Sequence, residues 1–126
     1  MLKKYNNNEN IIIIMIAYHG TDPSTAKIIF QNGFKASQSG LLGRGVYVTT
    51  DKQIAKCLGR TVIKVNVDLG RVLTNPPPEE WENWHEKGYD SVHMEGTATK
   101  PNREQHCIYD PKRVTFLEII YKKFFT

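Results

Sequence analysis

Cysteine is scarce: Cys57 and Cys107 are the only two in 126 residues. Two cysteines in a domain of this size make no disulfide framework, so reduced thiols in an intracellular protein are expected. Paired metal-ligand spacings are missing as well. His85 and His93 stand eight apart, and His106-Cys107 are neighbours pointing opposite ways on a strand, so no metal is expected. Cysteine nucleophile chemistry has little support, because Cys57 in a short helix and Cys107 in a strand both read as small core residues. The chain has no Gly-x4-Gly-Lys-Ser/Thr phosphate loop. Gly43-x-Gly45 lacks the third glycine and the following helix of a dinucleotide fingerprint, since Val46 to Thr49 read as a strand. Long apolar runs are absent too. The run at 11–17 is far too short to span a bilayer. It is also a poor signal sequence: polar Tyr5 to Asn10 parts it from the leading lysines, and no small-x-small site follows. The expectation is an intracellular protein, cytoplasmic or nuclear, without a membrane partner.

What is present fits one globular domain. The composition, 40% hydrophobic and 24% charged, is ordinary, and the length is enough to bury a core unaided. Residues 1–10, rich in asparagine, read as a disordered tail, and residues 11–126 as a single domain. A net charge of +4 and a pI near 9.1 raise the question of nucleic acid. The 17 Lys and Arg, however, are scattered in nothing longer than pairs, the pattern of a solvated surface. Nucleic acid is the less favoured partner.

The apolar run Ile11 to Ile16 is a buried strand whose polar end is Tyr18-His19-Gly20-Thr21. Asp22 and Pro23 open a helix with Ala26, Ile29 and Phe30 on one face, and Gly33 stops it. Phe34 pins the chain leaving that helix. A small-residue loop from Lys35 to Gly45 leads into the strand Val46 to Thr49. Thr50 or Asp51 caps a short helix that turns Ile54, Ala55 and Leu58 inward and closes at Gly59. Thr61 to Asp68 alternates as a half-buried strand, and Leu69 to Leu73 turns away from it. After Pro76-Pro77-Pro78, Glu79 to Lys87 reads as a helix with Trp81, Trp84 and His85 in a stripe, a core or lid contact. Three strands follow, Tyr89 to His93, His106 to Tyr109 and Val114 to Tyr121, with a turn at Asp110-Pro111. The count predicts an α+β domain, rich in strand with few, short helices.

Taken alone, His19 is as readily a strand-end histidine bonded to a loop as a functional group. Tyr47 alone is more readily a core aromatic. Together with Gly43-Arg44-Gly45-Val46-Tyr47 and Glu104-Gln105-His106-Cys107-Ile108-Tyr109-Asp110, the His19 tetrapeptide makes an ordered triple. That triple resembles the poly(ADP-ribose) polymerase branch of the ADP-ribosyltransferases, from about residue 16 to 121 with gaps. Gly88-Tyr89-Asp90-Ser91-Val92 and Asp110-Pro111-Lys112-Arg113-Val114 resemble further stretches of that family.

The resemblance implies a split pair of mostly antiparallel sheets with short flanking helices and an NAD cleft between the sheets. It implies that Gly20 grips the nicotinamide carboxamide through its backbone. His19 would hold the adenine-side ribose together with Thr21, and Tyr47 would stack on nicotinamide. Cleaving the nicotinamide–ribose bond passes through an oxocarbenium-like state, so ring, ribose and growing charge must all be held. Glycine suits the grip because no Cβ blocks approach, and tyrosine offers a flat face at little entropic cost.

Three departures qualify this. Gln105 stands where polymer-forming members carry glutamate, and an amide can accept a hydroxyl bond but cannot act as a carboxylate base. Glu104 is adjacent, yet neighbours on a strand face opposite sides. The family's serine and second stacking tyrosine align to Ala55 and Leu58, which lowers NAD affinity by roughly 1 kcal/mol each. Finally, the loop from Lys35 to Gly43 is short, so any lid is small. The expectation is therefore mono-ADP-ribosyl transfer from NAD to a protein or other macromolecule, without polymer elongation. The acceptor then supplies the missing carboxylate. The alternatives are a silent module that binds NAD or ADP-ribose, and a nucleic-acid transferase of the related RNA 2′-phosphotransferase type, for which only Arg44 and Arg103 lie near the motifs.

Overall fold

The run of isoleucines forms the long strand β2 (Asn10–Thr21), and its backbone pairs on both sides. The computed structural model of the chain describes residues 2–7 and 10–123, and the backbone alone for 3–7 and 10–13. One neighbour of β2 is β1 (Leu2–Asn7), in register Leu2↔Met15 through Asn7↔Asn10. The tail expected to be disordered is thus a strand over Leu2–Asn7; residues 1, 8 and 9 lie outside the described residues. The reason is that β2 runs further toward the N-terminus than β4 needs, leaving an edge whose peptide groups must pair.

The chain then forms α1 (Pro23–Asn32), β3 (Val46–Val48), α2 (Lys52–Leu58) and β4 (Thr61–Asp68). After these come β5 (Val72–Thr74), β6 (Ser91–Met94), β7 (Gln105–Ile108) and β8 (Val114–Lys122). Two four-stranded sheets result, ordered β1-β2-β4-β8 and β3-β7-β6-β5. All pairings are antiparallel except β5 with β6. The protein is α+β, as expected. No helix among the described residues is long and apolar enough to cross a membrane.

Both helices carry the caps legible in sequence. Asp22 accepts from Thr25 N–H at 2.8 Å with Pro23 at the first position, and Asp51 accepts from Gln53 N–H at 2.8 Å. Their faces are rotated from expectation, however. Ala26 and Ile29 are buried, but Phe30 is 67% exposed and meets Phe116 edge-on. Ile54 and Ala55 are buried, whereas Leu58, the last residue of α2, is 70% exposed. In each case the helix touches the sheet along too narrow a stripe to cover a third apolar position.

Residues 79–87 are not an α-helix. A 3-10 turn at Pro78–Glu80 leads into further turns, with bonds such as Lys87 N–H to Trp84 O and Gly88 N–H to His85 O. Side-chain anchors hold this shape: Trp81 Nε1 donates to Pro76 O at 2.9 Å and Trp84 Nε1 to Leu42 O at 2.8 Å. The aromatic stripe serves as core all the same, since Trp84 is buried with Leu42, Val92, Met94 and Cys107 on the outer face of the second sheet. β5 is an addition to the expected strands, three residues long and paired in parallel.

Between the sheets lies the larger core: Met15, Ala17, Ile63, Val65 and Val67 from the first against Val46, Val48 and Ile108 from the second. Cys107 is fully buried, and burial pushes its thiol up to about 12. Cys57 is exposed, contrary to the core position expected of it. A maleimide at neutral pH should therefore label one thiol per native chain, abolished by Cys57→Ser, with the second reacting only on unfolding. Two rapidly labelled thiols in the native protein would contradict the buried position of Cys107.

Candidate functional site

The two sheets touch where β2 meets the end of β3. Tyr18 and Thr49 exchange both backbone hydrogen bonds, at 2.8 and 2.9 Å, and beyond this point the strands part. Antiparallel strands direct successive residues' peptide groups to alternate sides. Because Tyr18 bonds toward β3, His19 bonds toward β4, and Gly20 again points its N–H and C=O away from β4. With β3 diverging, those two groups face the opening between the sheets. α2 lies directly above: a Cβ on Gly20 would collide with the Ala55 carbonyl and press on Leu58 Cβ at 3.1 Å. Gly20, Ala55 and Leu58 are therefore brought together, Ala55 buried and Leu58 exposed. Thr21 packs instead against the backbone of Gly59.

His19 lies on the core-facing side of β2, half-buried, edge-on to Phe34 at 5.3 Å. Its Nδ1 stands 2.7 Å from the Tyr47 carbonyl. A carbonyl can only accept, so Nδ1 carries the proton and Nε2 keeps a lone pair with no partner among the described residues. Burial lowers the His19 pKa, opposed by that backbone bond, and the ring is neutral near pH 7.

Tyr47 pairs with Cys107, so the phenol leaves β3 on the face away from the His19 imidazole. Its hydroxyl donates to Gly43 O at 2.6 Å and accepts from Leu42 N–H at 3.0 Å, under Gly40. Burial, with Cys107 beside it, pushes this phenol well above its ordinary range. Gln105 opens β7 two residues before Cys107, and alternation puts it on the same face as the Tyr47 ring. The imidazole thus meets Tyr47 through the backbone, while phenol and amide share the other side of the sheet.

Glu104 faces the opposite way from Gln105 and belongs to a cluster not foreseen from the sequence. Its carboxylate accepts from Thr49 Oγ1, from Thr50 N–H at 3.1 Å and from Thr50 Oγ1 at 3.0 Å. His93 and His106 Nε2 stand 3.5 and 3.4 Å from Glu104 Oε1. Burial pushes the Glu104 carboxyl up, but the bonds from His106, His93, Thr49 and Thr50 outweigh it and hold it well below the usual carboxylate range. Burial lowers the pKa of His106 against the pull of Glu104. The two imidazoles are cross-strand partners on β6 and β7, stacked with centroids 4.0 Å apart. Only strand register could have announced this cluster, since the histidines stand far apart in the chain.

Two clefts lie elsewhere, and Gly20 lines neither of them. One of about 400 Å³ includes Thr50, His93, Glu104 and His106 in its wall, and one of about 510 Å³ includes Trp81, Met94 and Arg103. Arg44 borders a different cleft with His85 and Tyr109, so the two arginines near the motifs are not gathered at one place. No protein-family model matches the chain, and no curated protein matches it closely enough to count as a relative.

Proposed function

We propose that this chain is a mono-ADP-ribosyltransferase, moving one ADP-ribose unit from NAD to a macromolecular acceptor, in the first place a protein. The observation that carries the reading is the bare peptide pair of Gly20, directed into the opening between the sheets beside His19 and under Ala55 and Leu58. A primary carboxamide has one acceptor and one donor side, the complement of a peptide N–H and C=O. Gly20 N–H donates to the nicotinamide carbonyl, and Gly20 C=O accepts from its amide. His19 Nε2, its tautomer fixed by the Tyr47 carbonyl, accepts a ribose hydroxyl. Tyr47 contributes through its carbonyl, which holds His19, while its ring, tethered at the hydroxyl on the other face of the sheet, seats the 35–45 loop. Leu58 supplies an apolar wall and Thr21 a further hydroxyl, while Ala55 leaves room without a bond.

In the reaction the ribose C1′–nitrogen bond breaks, neutral nicotinamide departs with the bonding pair, and an acceptor nucleophile bonds to C1′. Gln105, on the face of the second sheet away from His19, takes no part in holding the ribose. It cannot serve as a base, and Glu104 is turned to Thr49, Thr50 and the histidines. Extending a polymer requires deprotonating a sugar hydroxyl, so single transfer to an acceptor with its own carboxylate is favoured. The same commitment of Glu104 favours, as second reading, a module that binds NAD without turnover.

Release of nicotinamide from NAD, with adenylate-labelled transfer to the chain itself and to added protein, tests this. His19→Ala is expected to lower release about ten-fold or more. Saturable NAD binding without release selects the silent module. Absence of both, or a His19→Ala variant as active as the parent, overturns the assignment.

A further inference from the structure

We infer that His93, Glu104 and His106 form a binding site for a zinc-class divalent ion, three protein ligands with a fourth position open to solvent. The three ligand atoms, His93 Nε2, His106 Nε2 and a Glu104 carboxylate oxygen, lie within 4.8 Å of one another. As hydrogen bonds, the separations of 3.5 and 3.4 Å from Glu104 Oε1 are long; charge-assisted N–H···O contacts favour roughly 2.7–2.9 Å. As edges of a coordination polyhedron they fit. Ligands about 2.0–2.1 Å from a tetrahedral zinc stand about 3.3 Å apart. The two rings are stacked in parallel at 4.0 Å, and because a bound ion lies in the plane of each ligating imidazole, the partly exposed His93 ring turns out of the stack on binding.

Strand register and the bonds to Glu104 orient the ligands, while the buried His106 Nδ1 has no partner among the described residues. His93 and His106 are direct partners across two paired strands, so backbone register fixes their spacing. Thr49 Oγ1, Thr50 N–H and Thr50 Oγ1 orient the Glu104 carboxylate, which is the outer-shell support a ligating carboxylate needs. His106 is 3% exposed, whereas His93 is partly exposed and the site borders the cleft of about 400 Å³, giving an ion a way in. Two imidazoles and one carboxylate suit zinc and its first-row neighbours, whereas calcium and magnesium favour all-oxygen shells and soft ions favour thiolates. The cluster is separate from the Gly20 opening, and its test needs no NAD.

The experiment is titration of the chelator-stripped, tag-free chain with zinc chloride by calorimetry, and with cobalt(II) chloride by visible absorption. Expected are one saturable equivalent per chain and the intense visible bands of four-coordinate cobalt. His93→Asn and Glu104→Gln should each weaken zinc binding at least about ten-fold, and Cys57→Ser should leave it unchanged. His93 is partly exposed, so His93→Asn decides the matter even where a buried-site variant fails to fold. No saturable equivalent in the folded parent, or equal affinity in folded His93→Asn, overturns the site.

Discussion

Gly20→Ala is expected to lower thermal stability and, on the proposed function, NAD binding as well. Gly20 does not take a left-handed backbone; it is glycine because α2 passes over it. The added methyl would run into the Ala55 main-chain carbonyl, with Ala55 C and Leu58 Cβ each at 3.1 Å. A backbone atom cannot swing aside as a flexible side chain does, so α2 must shift. Overpacking of this kind costs about 3 kcal/mol, a fall in melting temperature of roughly 10 °C. Gly33→Ala is the contrast: φ is +83° with nothing within 4 Å, so the cost is backbone strain alone, about 1 kcal/mol. Displacing α2 also disturbs the approach to the Gly20 peptide groups. Two neutral hydrogen bonds lost from nicotinamide amount to about 2 kcal/mol, or some thirty-fold in affinity. Calorimetric unfolding and NAD titration read the two effects separately. An unchanged melting temperature would deny the close approach of α2. A lowered melting temperature with unaltered NAD affinity would move the binding site away from Gly20.

The parts of this fold that could be read in advance are those whose signals are local. Asp22-Pro23 and Gly33 bracket α1, Asp51 and Gly59 bracket α2, and the alternation of Thr61–Asp68 is β4. Where the outcome depended on a partner, sequence reading went astray. The polar stretch Leu2–Asn7 becomes a strand because the backbone of β2 offers it an edge. Residues 79–87 have a helical aromatic period, yet the carbonyls of Pro76 and Leu42 claim the two indole N–H groups and hold the segment in turns. Helical spacing points Phe30, Cys57 and Leu58 inward, yet all three are exposed, because spacing gives a face but not its width.

The same division holds for the sites. The strand end at His19-Gly20 was legible because a strand end, a glycine and a helix start are consecutive. The opposite facing of Glu104 and Gln105 followed from alternation, and the structure keeps it. That the Tyr47 phenol leaves its strand on the side away from the imidazole required the pairing with Cys107. The His93–Glu104–His106 cluster required register too, since ligand spacing along the chain is uninformative when the ligands come from paired strands.

Trp84→Ala is expected to be the most destabilising truncation. The indole is 1% exposed, edge-on to Tyr109 at 6.1 Å, and its N–H satisfies the Leu42 carbonyl at 2.8 Å. Removal leaves a large cavity and an orphaned buried carbonyl, together about 4 kcal/mol. For a domain of this size that is a fall of more than about 10 °C in melting temperature. Trp84→Phe keeps most of the volume and loses the bond, so roughly half the effect should remain. Consequences should also extend to the loop before β3. Leu42 is fully buried, its N–H reaches the Tyr47 hydroxyl at 3.0 Å, and that hydroxyl holds Gly43 O at 2.6 Å. Trp84 therefore keeps the 35–45 loop seated on Tyr47, and without the indole limited proteolysis should cut there first. A loss below about 2 kcal/mol, or proteolysis beginning elsewhere, would mean that the loop is seated by Tyr47 alone.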